Sequence, residues 1–151
     1  MATQQVFFEP VTAQTQTKTT GLDLGTIRFE GPKVYQYIYN SGGGAIAANI
    51  GVRLSGTGDY SACCTATANE HNCFGIAEAA ISATAYGWVL KKGITTFTMA
   101  ANTSFAVGTR IAMSTNGAFA PASGVSGLIC GESISAVATA VLSGLGYFNF
   151  L

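Results

Sequence analysis

From about residue 22 onward, the chain consists of short runs of alternating apolar and polar residues, separated by turns rich in glycine and asparagine. The segments 26–30 and, in part, 34–39 show this alternation, and the turn 40–44 (Asn-Ser-Gly-Gly-Gly) ends the second of them. A period of two is typical of β-strands with one buried face. Because turns recur about every 8 to 12 residues, we expect an all-β fold, a compact β-barrel or sandwich of short antiparallel strands.

The predicted strands are 26–30, 34–39, 51–55, 60–67, 74–81, 86–91 and 94–99. The segment 74–81 has the alanines of a helix, but its neighbours are strands and it lacks a capping pattern, so we predict a strand. Asn116-Gly117 is the strongest hairpin signal, because a type I′ turn needs a positive φ angle at two successive residues. Near the end of the chain, we predict two short strands around a turn at Ser143-Gly144.

The second half of the chain echoes the first. The segment 51–55 (Gly-Val-Arg-Leu-Ser) resembles 108–112 (Gly-Thr-Arg-Ile-Ala). An apolar stretch with a lone acid follows each of them, at 74–78 and 127–132, and an aromatic strand comes later. This echo predicts two copies of one β-unit packed together; the alternative is chance similarity in a chain rich in alanine, glycine and serine.

Residues 1–20 differ from the rest in being polar and rich in glutamine and threonine, with Val6, Phe7 and Phe8 as their apolar cluster. Such a segment cannot bury itself, so it is either a disordered tail or an extended arm whose aromatic cluster docks on a neighbour. Fully extended, twenty residues span at most about 66 Å. We expect an extended N-terminal arm over 1–20 and a single all-β domain over 21–151.

Composition restricts the function. Seven basic and seven acidic residues give a formal charge of +0, and only 9% of residues are charged, against about 25% in an average domain. Nucleic-acid binding needs a basic surplus that is absent here. One histidine and seven carboxylates leave little for acid–base catalysis. With 48% hydrophobic residues and no net charge, the chain is predicted to belong to an assembly.

No enzyme motif is found in the sequence. The glycine-rich turns lack the Gly-Lys-Ser/Thr of a phosphate-binding loop, and no Gly-x-Ser-x-Gly elbow occurs. We therefore assign no catalytic residue and expect a protein that is not an enzyme. The uncharged segment 133–151 is interrupted by serines, threonine and glycines, and no basic residue flanks its end, so we predict no membrane span. Since the first residues lack a secretory signal, we expect synthesis in the cytoplasm.

The cysteines allow two interpretations. Cys63 or Cys64, together with His71 and Cys73, would make a three-ligand metal cluster, although the paired C-x-x-C spacing of a zinc site is missing. The interpretation that we favour is that the cysteines, including Cys130, are small buried hydrophobic residues kept reduced in a cytoplasm. We accordingly expect no metal and no cofactor.

Tyr35, Tyr37 and Tyr39 recur with a period of two, which places them on one face of a predicted strand. An exposed row of this kind is a stacking platform for sugars or bases. A covered row is a barrel wall or a subunit interface, and we favour this second reading, with the three tyrosines as candidate oligomer interface. Trp88 is predicted to anchor the core, next to Gly87, which lets another strand approach.

Several of these segments resemble those of known phage proteins. The segment 86–93 (Tyr-Gly-Trp-Val-Leu-Lys-Lys-Gly) resembles a Y-G-W-V-x-x-x-G segment of small head proteins of tailed bacteriophages. The segments 105–111, 116–119 and 128–132 are together similar to a pattern of β-rich capsid decoration, or cement, proteins. The resemblance covers roughly residues 22–151, and its motifs are largely turn chemistry. Cys130-Gly131-Glu132 departs from the family's aliphatic–Gly–aliphatic step, so the alignment of the repeat stays open.

This resemblance implies a structural virion protein on the outside of the phage head. Members of the family bind the shell of major capsid protein, commonly as homotrimers, and cement adjacent capsomers against the pressure of the DNA. The implied partners are the major capsid protein and further copies of the chain, and no catalytic residue is carried over. Within this hypothesis, Val6, Phe7 and Phe8 are the anchors of the arm on a capsid subunit or an adjacent trimer.

Two alternatives remain open at this point. One is another phage structural component, such as a tail or neck protein. The other is a carbohydrate-binding β module that uses the three tyrosines and Trp88.

Overall fold

The computed structural model describes residues 22–55, 60–63, 73–124, 129–139 and 142–150. It contains ten strands: β1 (Ile27–Glu30), β2 (Lys33–Asn40), β3 (Ile50–Leu54), β4 (Ser61–Cys63), β5 (Cys73–Ala77), β6 (Tyr86–Thr98), β7 (Arg110–Met113), β8 (Phe119–Pro121), β9 (Ile129–Ser133) and β10 (Ser143–Asn149). The helical segments of the described residues are two 3-10 turns, Thr115–Gly117 and Ala122–Gly124. The predicted all-β fold class is confirmed.

All ten strands belong to one sheet in the order β1-β2-β4-β3-β5-β6-β10-β9-β7-β8, with an additional pairing between β2 and β6. The pairings are antiparallel except for a short parallel contact between β2 and β4. The sheet is not closed into a barrel, because β1 and β8 remain at its two ends. No helix of the described residues is long and apolar enough to span a membrane.

Two predicted strands, 86–91 and 94–99, form the single long strand β6. Gly93 lies between them and has a φ angle of 136°, a conformation that glycine adopts at low cost, so the strand continues through it. The first half of β6 pairs with β2 and the second half with β10. One strand is therefore shared by the two halves of the molecule.

The predicted repeat is present in the strand pairings. We call β2, β3, β4, β5 and the first half of β6 unit 1, and the second half of β6 with β7, β8, β9 and β10 unit 2. Before β3 in unit 1, Ile46 forms an isolated bridge with Ile81, and before β7 in unit 2, Phe105 forms the same bridge with Val137. The register of β2 against β6 also recurs between β6 and β10.

The alignment read from the sequence was wrong by two residues. The amide of Asn49 donates to the carbonyl of Ala77 (2.6 Å), and the amide of Gly108 donates to the carbonyl of Ser133 (2.8 Å). Asn49 and Gly108 both have positive φ angles, 62° and 81°. The repeat is thus anchored by a left-handed residue before each strand, whereas the sequence comparison matched Gly51 with Gly108.

Two apolar clusters form the core. The smaller cluster is the interior of unit 1: Ile38, Ile46, Ile50, Val52, Ala77, Ile81, Ala85 and Val89. The larger cluster combines the interior of unit 2 with the opposite face of unit 1, and includes Tyr35, Tyr37, Trp88, Leu90, Phe97, Phe105, Ile111, Phe119 and Phe148. Unit 1 is therefore apolar on both faces of its sheet.

Two of the predicted turns, at Asn116-Gly117 and Ser143-Gly144, have opposite outcomes. Asn116 and Gly117 have φ angles of 54° and 76° and connect β7 to β8, so this hairpin is confirmed. Ser143 and Gly144 lie inside β10, so the turn predicted there is wrong. Gly144 marks a packing position, since a Cβ atom there would lie 2.7 Å from Cζ of Phe97.

Candidate interaction surfaces

Part of the predicted site lies outside the described residues. Val6, Phe7 and Phe8 belong to this part, and so do Cys64 and His71 of the alternative metal cluster. No group of three or more metal-ligating side chains occurs in the parts of the chain that the structure describes.

The structure places the tyrosine row largely inside the chain. Tyr35 is 2% exposed and Tyr37 is fully buried, while Tyr39 is half-buried. The ring of Tyr37 lies 5.1 Å from that of Trp88, between centroids. Tyr35 and Tyr37 are covered by their own chain, so the prediction that they form an oligomer interface is wrong; they also cannot form an exposed sugar platform. Trp88, 6% exposed, is a core residue as predicted.

The segment 22–26, just before β1, lies beside this row. Thr26 accepts a backbone hydrogen bond from Tyr37 (2.9 Å), and Gly25 donates one to the carbonyl of Tyr37 (2.8 Å). Leu22 is buried in the same apolar cluster. The guanidinium carbon of Arg28 lies 5.8 Å from the centroid of the Trp88 ring. The sequence pattern identified the shared face of the row but contained no signal for these contacts.

A polar cluster ties three strands together around Glu78. Its carboxylate accepts hydrogen bonds from Lys33 Nζ (2.6 Å), from the hydroxyl of Tyr35 and from Thr95. Burial would raise the pKa of Glu78, but these three donors outweigh burial and lower it. Burial, and then the hydrogen bond to Glu78, raises the pKa of the Tyr35 hydroxyl. The cluster holds a charge in a mostly apolar region and joins β2 and β6 to the end of β5.

We expect Glu78→Gln to lower the free energy of unfolding at pH 7 by about 1–3 kcal/mol, because charge-assisted hydrogen bonds are lost. Since the pKa of Glu78 is lowered in the folded state, its contribution is present above the ordinary carboxyl pKa and disappears as the pH falls through the folded value. The difference between wild type and variant should therefore shrink on acidification. Urea unfolding at pH 7 and about pH 3 measures it, with the exposed carboxylate variant Glu132→Gln as control. A difference that is equal at both pH values contradicts the assignment.

A second buried charge lies between aromatic rings. Lys91 is 6% exposed, and its Nζ lies 3.5 Å from the centroid of Phe74 and 6.0 Å from that of Phe150. Burial lowers the pKa of Lys91 to about 8. Cys73, a neighbour of this group, and Cys130 are both buried, as the interpretation of the cysteines as small buried hydrophobic residues predicts for these two. Burial raises the pKa of the Cys73 thiol, so it is protonated at neutral pH.

Three of the exposed apolar side chains of unit 2 form what we call the outer patch: Ile94, Leu145 and Tyr147, which are 48%, 40% and 38% exposed. Ile94 and Tyr147 are direct cross-strand partners, and Leu145 lies on the same face two residues along β10. Ile134, 40% exposed, donates its amide to the carbonyl of Leu145 (3.0 Å). The sequence analysis missed this patch, although the spacing of Leu145 and Tyr147, two residues apart, was a signal that they share a face of a strand.

The comparisons with known proteins bear on the fold. No family model matches the chain, and no curated protein is similar to it at a significant level. Among solved structures, the chain is similar to the N base of the head fiber gp8.5 of bacteriophage phi29. The TM-score is 0.52 at 12% sequence identity, over 77% of this chain and 95% of that chain. This likeness shows a shared fold.

Proposed function

We propose that the chain is a structural protein of a tailed-phage head, attached as a homotrimer to the outer surface of the shell, where it joins adjacent capsomers of the major capsid protein. The observation that carries the proposal is the likeness to the base of a phage head fiber, which extends over nearly all of that base. The sequence resemblance of segment 86–93 to phage head proteins supports it independently.

The described residues also fit an attachment role. Their polar clusters link strands of the same sheet, as Glu78 does with Lys33, and the apolar surface includes a patch on one face of unit 2. With 9% charged residues, attachment rests on apolar contacts and backbone pairing more than on ion pairs. Apolar burial contributes about 25 cal/mol per Å² before the costs of association.

Several weak contacts are sufficient for stable attachment. Once one subunit of a trimer is bound, the next contact is intramolecular and occurs at a high effective concentration. In this mechanism, residues 1–20 act as an arm that extends the reach of each subunit, with Val6, Phe7 and Phe8 as anchors on a capsid subunit or an adjacent copy. The chain is then a component of the virion exterior.

Deletion of residues 2–20 tests the proposal. We expect the shortened protein to remain folded but to decorate heads at least about tenfold more weakly, because each subunit loses its anchor. The measurement is occupancy on empty heads assembled from the major capsid protein of the phage that encodes the chain, by co-sedimentation over a range of concentrations. Electron microscopy of the same particles shows where the protein lies.

The outcomes separate the proposal from its alternative. Even coverage of the head supports attachment to the shell, and protein confined to a tail or neck contradicts it. Wild-type occupancy by the shortened chain excludes the arm as an anchor. A matched titration with salt serves as control, because an apolar attachment should tolerate an ionic strength that screens exposed ion pairs.

A further inference from the structure

The internal repeat gives every residue of the outer patch a counterpart in unit 1. In unit 1, Tyr35 pairs with Leu90 and Tyr37 pairs with Trp88. In unit 2, Ile94 pairs with Tyr147 and Thr96 pairs with Leu145 in the same register. The tyrosine row and its partners are therefore the structural counterpart of the outer patch.

The two counterpart faces differ in their cover. Tyr35, Tyr37, Trp88 and Leu90 are at most 6% exposed, whereas the matching residues Ile94, Leu145 and Tyr147 are 38–48% exposed. Part of the cover of unit 1 comes from the segment 22–26, just before β1: Leu22 is buried in the same apolar cluster, and the backbone of Gly25 and Thr26 is bonded to Tyr37. Unit 2 has no such segment of its own, because the chain that precedes the second half of β6 is the first half of β6.

The backbone shows the same difference. Tyr37 exchanges two hydrogen bonds with Gly25 and Thr26 on the side away from β6. Its counterpart Thr96 is exposed and has no such backbone neighbour among the described residues on the side away from β10. An extended segment placed beside Thr96 would therefore gain main-chain hydrogen bonds and cover the outer patch in one step.

We propose that the segment Val6–Phe8 of a neighbouring copy adds as a strand beside Thr96 and packs on the outer patch. On unit 1, the buried side chain of Leu22 and the backbone of Gly25 and Thr26 make the corresponding contacts. The inference rests on the proposed function for the existence of an oligomer, and it names the contact that holds the copies together. Each copy gives one segment and receives one, so the contact is head-to-tail, and in the proposed trimer a rotation of one third of a turn between copies closes it into a ring.

Length and charge allow this contact. Thirteen residues lie between Phe8 and Leu22, and the fourteen steps from one to the other (22 − 8) reach about 46 Å when extended. The radius of gyration of a domain of about 130 residues is near 14 Å, so the segment can reach a neighbouring copy. Residues 1–8 contain no charged side chain, and neither do the three residues of the outer patch, so the contact buries no unpaired side-chain charge.

Hydrogen exchange of the Thr96 amide in the full-length protein tests the inference by NMR. In the oligomer, we expect this amide to be protected, and to exchange at least about tenfold faster in the variant Phe7→Ser/Phe8→Ser and after dilution to monomer. The amide of Tyr37, bonded within its own chain, is the internal control and should not change. Equal exchange of Thr96 under all conditions, or protection that persists in the monomer, overturns the proposal.

A double-mutant cycle tests the pairing of segment and patch. Leu145→Asp and Phe7→Ser/Phe8→Ser should each raise the dissociation constant of the oligomer at least about tenfold, and their combination should add little, since both remove one contact. Phe29→Asp, at an exposed apolar position of β1, is the matched control and should have no effect. If Leu145→Asp unfolds the chain, Tyr147→Ser takes its place in the cycle. The proposal is overturned if the effects of the two changes on the dissociation constant multiply fully in the combined variant. Neither experiment contains phage heads. If the chain binds heads in the sedimentation experiment but the Thr96 amide stays unprotected, this contact is refuted and the proposed attachment to the head is not.

Discussion

Phe97→Ala should lower the free energy of unfolding by about 3–5 kcal/mol. Phe97 is fully buried at the centre of unit 2, with its ring centroid 5.2 Å from Phe105, 5.8 Å from Phe119 and 5.7 Å from Phe148. All three neighbours meet it at steep angles, so truncation removes edge-to-face contacts as well as buried area. It also leaves a cavity above Gly144, because the Phe97 ring occupies the space that a side chain at position 144 would take.

Urea unfolding of the two proteins measures this effect. Phe29→Ala is the control, since it makes the same chemical change at a residue that is 74% exposed, and we expect a change within about 0.5 kcal/mol. A cost below about 1 kcal/mol for Phe97→Ala would mean that the interior of unit 2 collapses around the cavity, and would contradict the central role given to this ring.

Local chemistry accounts for the features that the sequence predicted correctly. Asn116-Gly117 was recognised because two successive positive φ angles restrict the residue types, and this restriction acts within a single turn. The alternating strands were recognised for the same reason. The failure at Ser143-Gly144 has a different origin: Gly144 is small because the ring of Phe97, from another strand, occupies its side-chain space. Sequence alone cannot distinguish a glycine needed for a turn from one needed for packing.

The candidate interface failed for a long-range reason. Period-two spacing showed that Tyr35, Tyr37 and Tyr39 share a face, but part of what buries that face comes from Leu22–Thr26, a segment without an obvious pattern of its own. The outer patch was missed because its residues are spread over β6 and β10, about 50 residues apart in sequence. Only the strand register reveals that these two faces are counterparts.

Gly131→Ala should destabilise the protein by at least about 3 kcal/mol, above the usual 1–3 kcal/mol cost of an extra methyl group in a packed core. A Cβ atom at Gly131 would collide with the carbonyl oxygen of Tyr147 and lie 2.9 Å from Cδ1 of Phe148. The Tyr147 obstacle belongs to the backbone of β10, which is held by its pairing with both β6 and β9. To relieve the collision at Gly131, the strand β10 itself has to move, and not only a side chain.

The repeat predicts that Gly75→Ala has a similar cost. Gly75 pairs with Val52 as Gly131 pairs with Ile111, and its Cβ would lie 2.8 Å from the carbonyl oxygen of Leu90. Gly43→Ala is the control, because nothing lies within 4 Å of a Cβ atom there. Thermal and urea unfolding of the three variants compare them directly. Comparable losses at Gly75 and Gly131, beside no loss at Gly43, would show that close approach of the neighbouring strand is a shared requirement of both units; a tolerated alanine at either glycine would contradict this requirement.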